Sequence, residues 1–120
     1  MSDYPVGIYL GPNDSSIAGW KNGKPEIIPT YDYLDSFTIP SVVSFIKNDI
    51  IVGTNAEYNK TRNPKNIIYG IGEIIGKKYG DPDVQKFIKK VPFKIEKDSE
   101  TDKPKIIVEF GNKIKSYYPE

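Results

Sequence analysis

The chain contains no cysteine and no histidine in its 120 residues. Without thiols there is no disulfide, no cysteine nucleophile and no thiolate zinc site, and the composition suits a reducing compartment. Without imidazole it lacks the commonest general base and transition-metal ligand, and the only side chain whose ordinary pKa lies near neutrality. Any catalysis would rest on carboxylates, lysine, tyrosine or serine. An excess of either charge is missing as well: 17 Lys and Arg face 16 Asp and Glu, leaving a net charge of +1. That balance argues against nucleic acid or an anionic membrane as partner. No apolar run approaches the roughly 18–20 residues of a membrane span. The opening MSDYPVG has no charged-then-apolar leader. These absences together predict a cytoplasmic or nuclear protein.

What is present is ordinary. Hydrophobic residues make up 38% and charged residues 28%, a globular composition at a length that suits one domain. Lysines are dense between Lys60 and Lys90, but no stacking aromatics alternate with them, so the stretch reads as a solvated face.

The first strong pattern is GIYLGPNDSSIAGW, Gly7 to Trp20: an apolar strand, a glycine-containing turn and a second strand. Asn22-Gly23 is a hairpin signal, and PEIIP reads as a brief third strand. An aromatic and acidic loop, Tyr31 to Ile39, leads to a second hairpin, SVVSFIKNDIIVG, expected to turn at Asn48-Asp49. Thr54 with Glu57 three residues on has the form of a capping box, opening a helix that runs towards Asn63-Pro64. Apolar residues at 67, 68, 71, 74 and 75 fit a helical period, weakened by Gly70 and Gly72. Asp81-Pro82 starts a firm helix with an acid at its cap, proline in the first turn and lysines at the end. After Pro92 the period becomes two, giving a three-stranded meander with a charged loop at Asp98 to Lys103. The fold class is therefore α+β, with about two small antiparallel sheets and intervening helices.

The blocks WKNGKPEIIP, IPSVVSF, RNPKN, IIGKKYGDPDVQKFIKKVPFKI, KPKIIVEF and KSYYPE, in this order and spacing, resemble the start of the ATPase domain of the seventy-kilodalton heat-shock chaperones, the DnaK type. The likeness covers essentially the whole chain, with small insertions near Tyr31 to Phe37 and near Asp98 to Lys103. It implies part of an actin-like fold: about residues 1–53 as lobe IA-like hairpins, and about 54–120 as the helices and meander of lobe IB. It also implies a chaperone that binds ATP and Mg²⁺, with further phosphate, adenosine and peptide-binding segments placed beyond Glu120 in the family.

In that family the first hairpin reads Gly-Ile-Asp-Leu-Gly-Thr-Thr-Tyr-Ser, its Asp serving hydrated Mg²⁺ and its Thr-Thr turn holding phosphates. Here Tyr9 replaces the Asp, Pro12 and Asn13 replace the two Thr, and Asp14 replaces the Tyr; Gly7, Leu10, Gly11 and Ser15 are kept. Tyr9 offers no carboxylate to a hard cation. Pro12 has no N–H. Asp14 places an anion where a polyphosphate would lie, and at roughly 4–6 Å that repulsion is comparable with a hydrogen bond. The family's catalytic Lys-Arg pair falls on Gly72 and Glu73. Phosphoryl transfer is positioning and electrostatics, so both losses remove what the protein would supply. The nucleotide-binding positions Gly11, Pro12, Asn13 and Asp14 thus read as degenerate; no catalytic or metal-binding residue is assigned, and no cofactor is expected for this chain alone. Tyr9 and Trp20 are expected to pack in the core, and Lys77 or Lys78, at the end of a surface helix, are weak replacements for the missing lysine. The alternative to a diverged chaperone segment is an interaction module that self-associates through exposed sheet edges or docks on chaperone or co-chaperone partners.

Overall fold

A computed structural model describes residues 4–30 and 36–120, so the Tyr31, Asp32, Tyr33 and Asp35 part of the aromatic loop lies outside the described residues. Among the described residues ten short strands form three antiparallel sheets, where the sequence suggests about two. The first sheet holds β1 (Gly7–Leu10), β2 (Asp14–Lys21) and β3 (Lys24–Ile27) in that order, and β4 (Ile39–Pro40) pairs with β2. Asn22 and Gly23, with φ of 52° and 77°, close the β2–β3 hairpin in the left-handed region that this dipeptide adopts readily. The second sheet orders β6 (Asp49–Val52), β5 (Val42–Ile46) and β7 (Ile67–Tyr69). Its hairpin pairs Ile46 with Asp49, so the turn is Lys47-Asn48, one residue before the expected position. Lys47, not Asp49, takes the positive φ of 53°. The third sheet is the anticipated meander of β8 (Lys94–Lys97), β9 (Pro104–Phe110) and β10 (Lys113–Tyr117).

The helices are fewer and shorter than the sequence period implies. α1 spans only Thr54–Glu57, its cap is Gly53, and no side chain caps it; the Thr54–Glu57 capping box does not form. Beyond it the Asn59 side chain donates to the Asn55 carbonyl, and the chain continues as turns to Arg62. The expected helix over 67–75 is also absent. Ile67 to Tyr69 pair with β5, and Gly70, at φ 69°, reverses the chain into a single 3₁₀ turn, Ile71–Glu73. The β-branched Ile67-Ile68 pair, buried on both faces, favours a strand over the helix that the spacing suggests. Gly70-x-Gly72 therefore does follow a strand, contrary to the sequence reading, but no third glycine completes a dinucleotide fingerprint.

α2 (Pro82–Lys90) forms as expected: the Asp81 carboxylate accepts from the Asp83 N–H at 2.9 Å. Val84 and Phe87 are buried and Ile88 and Val91 partly so, one stripe at helical spacing. That stripe packs with Ile74, Phe93, Ile95, Ile106 and Val108, while Val42, Ala56 and Ile67 form a smaller cluster. Asn66 ties the second sheet to the third: its amide donates to the Glu109 carbonyl at 2.9 Å, and its oxygen accepts from the Glu109 N–H at 3.0 Å.

Every buried apolar side chain among the described residues belongs to Val42 or a later position. The first sheet contributes none. Tyr9 is 62% exposed and Trp20 48%, so neither is the core aromatic the sequence suggests. Both lie in a sheet that holds no buried apolar side chain among the described residues, and the molecule is long, 50 × 29 × 27 Å. Its radius of gyration, 16.6 Å, exceeds the roughly 14 Å of a compact domain of this length.

Candidate functional site

The turn Gly11–Asp14 sits where the first sheet meets the remainder. Gly11 donates to the Asp14 carbonyl at 3.1 Å, closing a loop of Pro12 and Asn13. Gly11 is buried and has no room for a side chain: a Cβ would press into the Asp14 carbonyl oxygen and lie 2.7 and 2.8 Å from Cε1 and Oη of Tyr9. The Tyr9 ring therefore folds back over the turn. Ser41 anchors the other side. Its N–H donates to the Asn13 carbonyl at 2.8 Å, its hydroxyl donates to the Gly11 carbonyl at 2.8 Å, and the Ser15 hydroxyl lies 2.7 Å from it.

Between this turn and α1 opens a cavity of about 250 Å³ lined by Pro12, Asn13, Asp14, Pro40, Ser41, Val42, Glu57, Lys60 and Tyr69. Its charged groups are Asp14, Glu57 and Lys60. The one ammonium is already engaged: Lys60 Nζ lies 3.1 Å from Glu57 Oε1 and 4.7 Å from the centre of the Tyr69 ring.

Gly72 lies beside the turn, far as it is in sequence. A Cβ built there would sit 3.8 Å from Cα and Cβ of Pro12, ordinary van der Waals contact. The structure thus brings together the two segments singled out in the sequence, Gly11 to Asp14 and Gly72. Glu73 points elsewhere, 3.9 Å from Lys90. Lys77 is also committed, bonded at 2.7 Å to Asp83 in the first turn of α2. That hydrogen bond raises the Lys77 pKa and lowers that of Asp83. The Lys77-Lys78 stretch is a connection between the 3₁₀ turn and α2, not a helix end.

Ser41, Glu57, Lys60 and Tyr69 are site residues that sequence reasoning missed. Glu57 read as a capping residue and Lys60 as part of a solvated run. The Glu57–Lys60 pair itself has the local i,i+3 spacing of a helical turn, but its approach to Ser41 and Tyr69 depends on how the single turn of α1 packs on β5, which no local pattern encodes. Ser41 had a signal, its place after Pro40 in the IPSVVSF block.

The donor set does not suit magnesium or a polyphosphate. Among the described residues no three Asp or Glu gather as a metal site. Pro12 supplies no N–H, the cavity carries two carboxylates to one paired ammonium, and hard cations and phosphates need more of their respective partners.

Comparison with known proteins places these features in a family. The family model described as Hsp70 protein matches residues 5–120. The mitochondrial-type heat shock protein 70 of Encephalitozoon cuniculi is 41% identical over 88 residues, which is 73% of this chain and 14% of that protein. Chaperone protein DnaK of Carsonella ruddii is 46% identical over 91 residues, 75% of this chain and 15% of its own length. The heat shock cognate 70 kDa protein 3 of Dictyostelium discoideum is 34% identical over 115 residues, 96% of this chain and 18% of that protein. The chain spans less than a fifth of the length of each of these relatives. The small antiparallel sheets and few helices agree with a part of the family's actin-like ATPase fold. The chain belongs to the seventy-kilodalton heat-shock chaperone family and corresponds to its N-terminal ATPase region.

Proposed function

We propose that this chain is a segment of a diverged heat-shock chaperone whose nucleotide cleft keeps its shape and has lost its grip on Mg·ATP. One observation carries the reading: Gly72, which stands where the family's catalytic lysine is expected, faces Pro12 in the turn expected to hold phosphate. Two positions far apart in sequence meet beside one cleft, and neither offers a positive group. Tyr9 in place of a carboxylate, and Asp14 and Glu57 on the cavity wall, push the same way. On this reading residues 1–53 act as the IA-like part and 54–120 as the IB-like part, and the ATPase and client chemistry of the complete relatives is not performed by this chain alone. No helix among the described residues is long and apolar enough to cross a membrane. The relatives include both mitochondrial-type proteins and DnaK, and a cytoplasmic site remains our reading for this chain.

A graft tests it. Residues 5–120, placed in a DnaK in exchange for its matching segment, should abolish ATP hydrolysis. Tyr9→Asp, Pro12→Thr and Gly72→Lys together should then restore it and tighten Mg·ATP at least tenfold, about 1.4 kcal/mol. Micromolar Mg·ATP binding by the unaltered graft refutes the proposal.

A second reading rests on the bare first sheet. Family membership implies contacts with chaperones and co-chaperones in general. In addition, the chain self-associates through exposed sheet edges, because apolar side chains on that sheet are uncovered on both faces.

A further inference from the structure

Asp98 is the one buried charged residue among the described residues, 5% exposed. A carboxylate out of water persists only where donors replace the water. Three side chains do so: Thr101 from the same loop, Lys105 of β9 at 2.9 Å, and Tyr118, just past β10, at 2.7 Å. Each comes from a different part of the chain. Losing one leaves part of a buried charge unsatisfied and weakens the hold of the others, so the set forms and breaks as a unit.

The loop that Asp98 opens, residues 98–103, is the stretch that reads in the sequence as an insertion. It closes through the Asp98 N–H, which donates to the Lys103 carbonyl at 2.8 Å, and through Lys97 Nζ, 3.1 Å from Asp102 Oδ1. Asp102 takes a left-handed backbone, φ 58°, which Asp tolerates better than most residues. From there its carbonyl accepts the Tyr79 N–H at 2.9 Å. Tyr79 lies in the connection that leads into α2, and its own carbonyl accepts from the Gln85 side chain of α2 at 2.6 Å. On the other flank the Tyr118 ring has the ammonium groups of Lys103 and Lys105 at 5.3 and 5.4 Å from its centre. The loop thus bonds to the lead-in of α2 through Asp102 and to the chain past β10 through Asp98.

We propose that loop 98–103 is a latch, closed by Asp98, that joins the lead-in of α2 to the segment past β10 so that the two are held or released together. The Tyr118 hydroxyl completes the donor set of Asp98, Asp98 and Lys103 fix the path of the loop, and that path carries Asp102 into the turn that reaches Tyr79. A non-glycine residue stays in a left-handed backbone while its surroundings over-determine it. When Asp98 loses a donor, the turn at Asp102 relaxes and the Tyr79 N–H is freed. Every bond of the latch is internal to the described residues and none depends on an uncovered surface. By linkage the coupling runs both ways: whatever orders one end orders the other.

Tyr118→Phe is the decisive variant, because it deletes one hydroxyl that bonds to Asp98 and not to Tyr79 or Asp102. Residue-resolved amide exchange by NMR should show the Tyr79 and Asp98 N–H groups accelerating together, about tenfold, while amides of β5 and the interior of α2 keep their rates. Thr101→Val, which removes a different donor, should do the same. In the reverse direction Gln85→Ala, which loosens Tyr79, should accelerate the Asp98 N–H by about threefold. Exchange at Tyr79 that stays at the unaltered rate in Tyr118→Phe, or release of Asp98 without release of Tyr79, overturns the proposal. So does an equal acceleration of every amide, which would be a general loss of stability and not the opening of a latch.

Discussion

Ser41→Ala should loosen the join between the first sheet and the rest of the molecule by about 1–3 kcal/mol. The figure follows from the proton count at one atom. The Ser41 hydroxyl has a single hydrogen, donated to the Gly11 carbonyl at 2.8 Å. The 2.7 Å contact with Ser15 must then use the Ser15 hydrogen, which makes a chain from Ser15 through Ser41 to Gly11. Alanine removes both bonds at once, each worth roughly 0.5–1.5 kcal/mol net. The backbone bond from Ser41 N–H to Asn13 remains. The first sheet buries no apolar side chain among the described residues, so beyond that bond the turn is held chiefly by the short β2–β4 pairing at Asp14 and Ser15. Amide hydrogen exchange is the assay. Exchange in β1 and β2 should accelerate about tenfold to a hundredfold, while the amides of α2 and β9 keep their rates. Ser41→Thr, which retains the hydroxyl, should recover most of the protection. Unchanged exchange in β1 and β2, or an equal acceleration in α2, would refute the idea that this serine is the local fastener.

Asn66→Ala should cost about 1–3 kcal/mol in urea unfolding, because it frees both the N–H and the C=O of Glu109; Asn66→Asp should not rescue it, since its carboxylate would face the Glu109 carbonyl. Ser44 is fully buried with no hydrogen-bond partner for its hydroxyl among the described residues, so Ser44→Ala should leave stability unchanged or raise it by about 1 kcal/mol, measured in the same unfolding experiment. Asp98 is 5% exposed and accepts from Thr101, from Lys105 at 2.9 Å and from Tyr118 at 2.7 Å. Those bonds, Thr101 first, hold its pKa well below the ordinary 3.8. Its contribution is complete above that ordinary value and lost as pH falls below it, so Asp98→Asn should flatten the acid limb of a stability-against-pH curve and leave its shape above pH 5 unchanged.

Legibility in the sequence followed the range of the forces. α2 was readable because its cap, its proline, its terminal lysines and its apolar stripe all lie within eleven residues, Asp81 to Val91, and agree. The meander was readable for the same reason, with a period of two and Gly111-Asn112 at its turn. Residues 67–75 misled because five apolar positions fit a helical period while Gly70 required a left-handed backbone and Ile67-Ile68 required a partner strand. Only the pairing with β5, more than twenty residues away, decides between them. Tyr9 and Trp20 misled differently. Their spacing is that of a strand, and a strand's aromatic is usually core, but no element among the described residues covers the first sheet. The cavity was half legible. Its turn, and Gly72 beside that turn, came from the resemblance; Tyr69 and the Glu57–Lys60 pair reach it by tertiary packing.

The first sheet therefore does two things that pull in opposite directions. It must be held firmly enough to bring Pro12 against Gly72, and it has no core of its own with which to do so. The hydrogen bonds at Ser41 meet the first demand locally and leave the exposed apolar side chains of β1 unaffected.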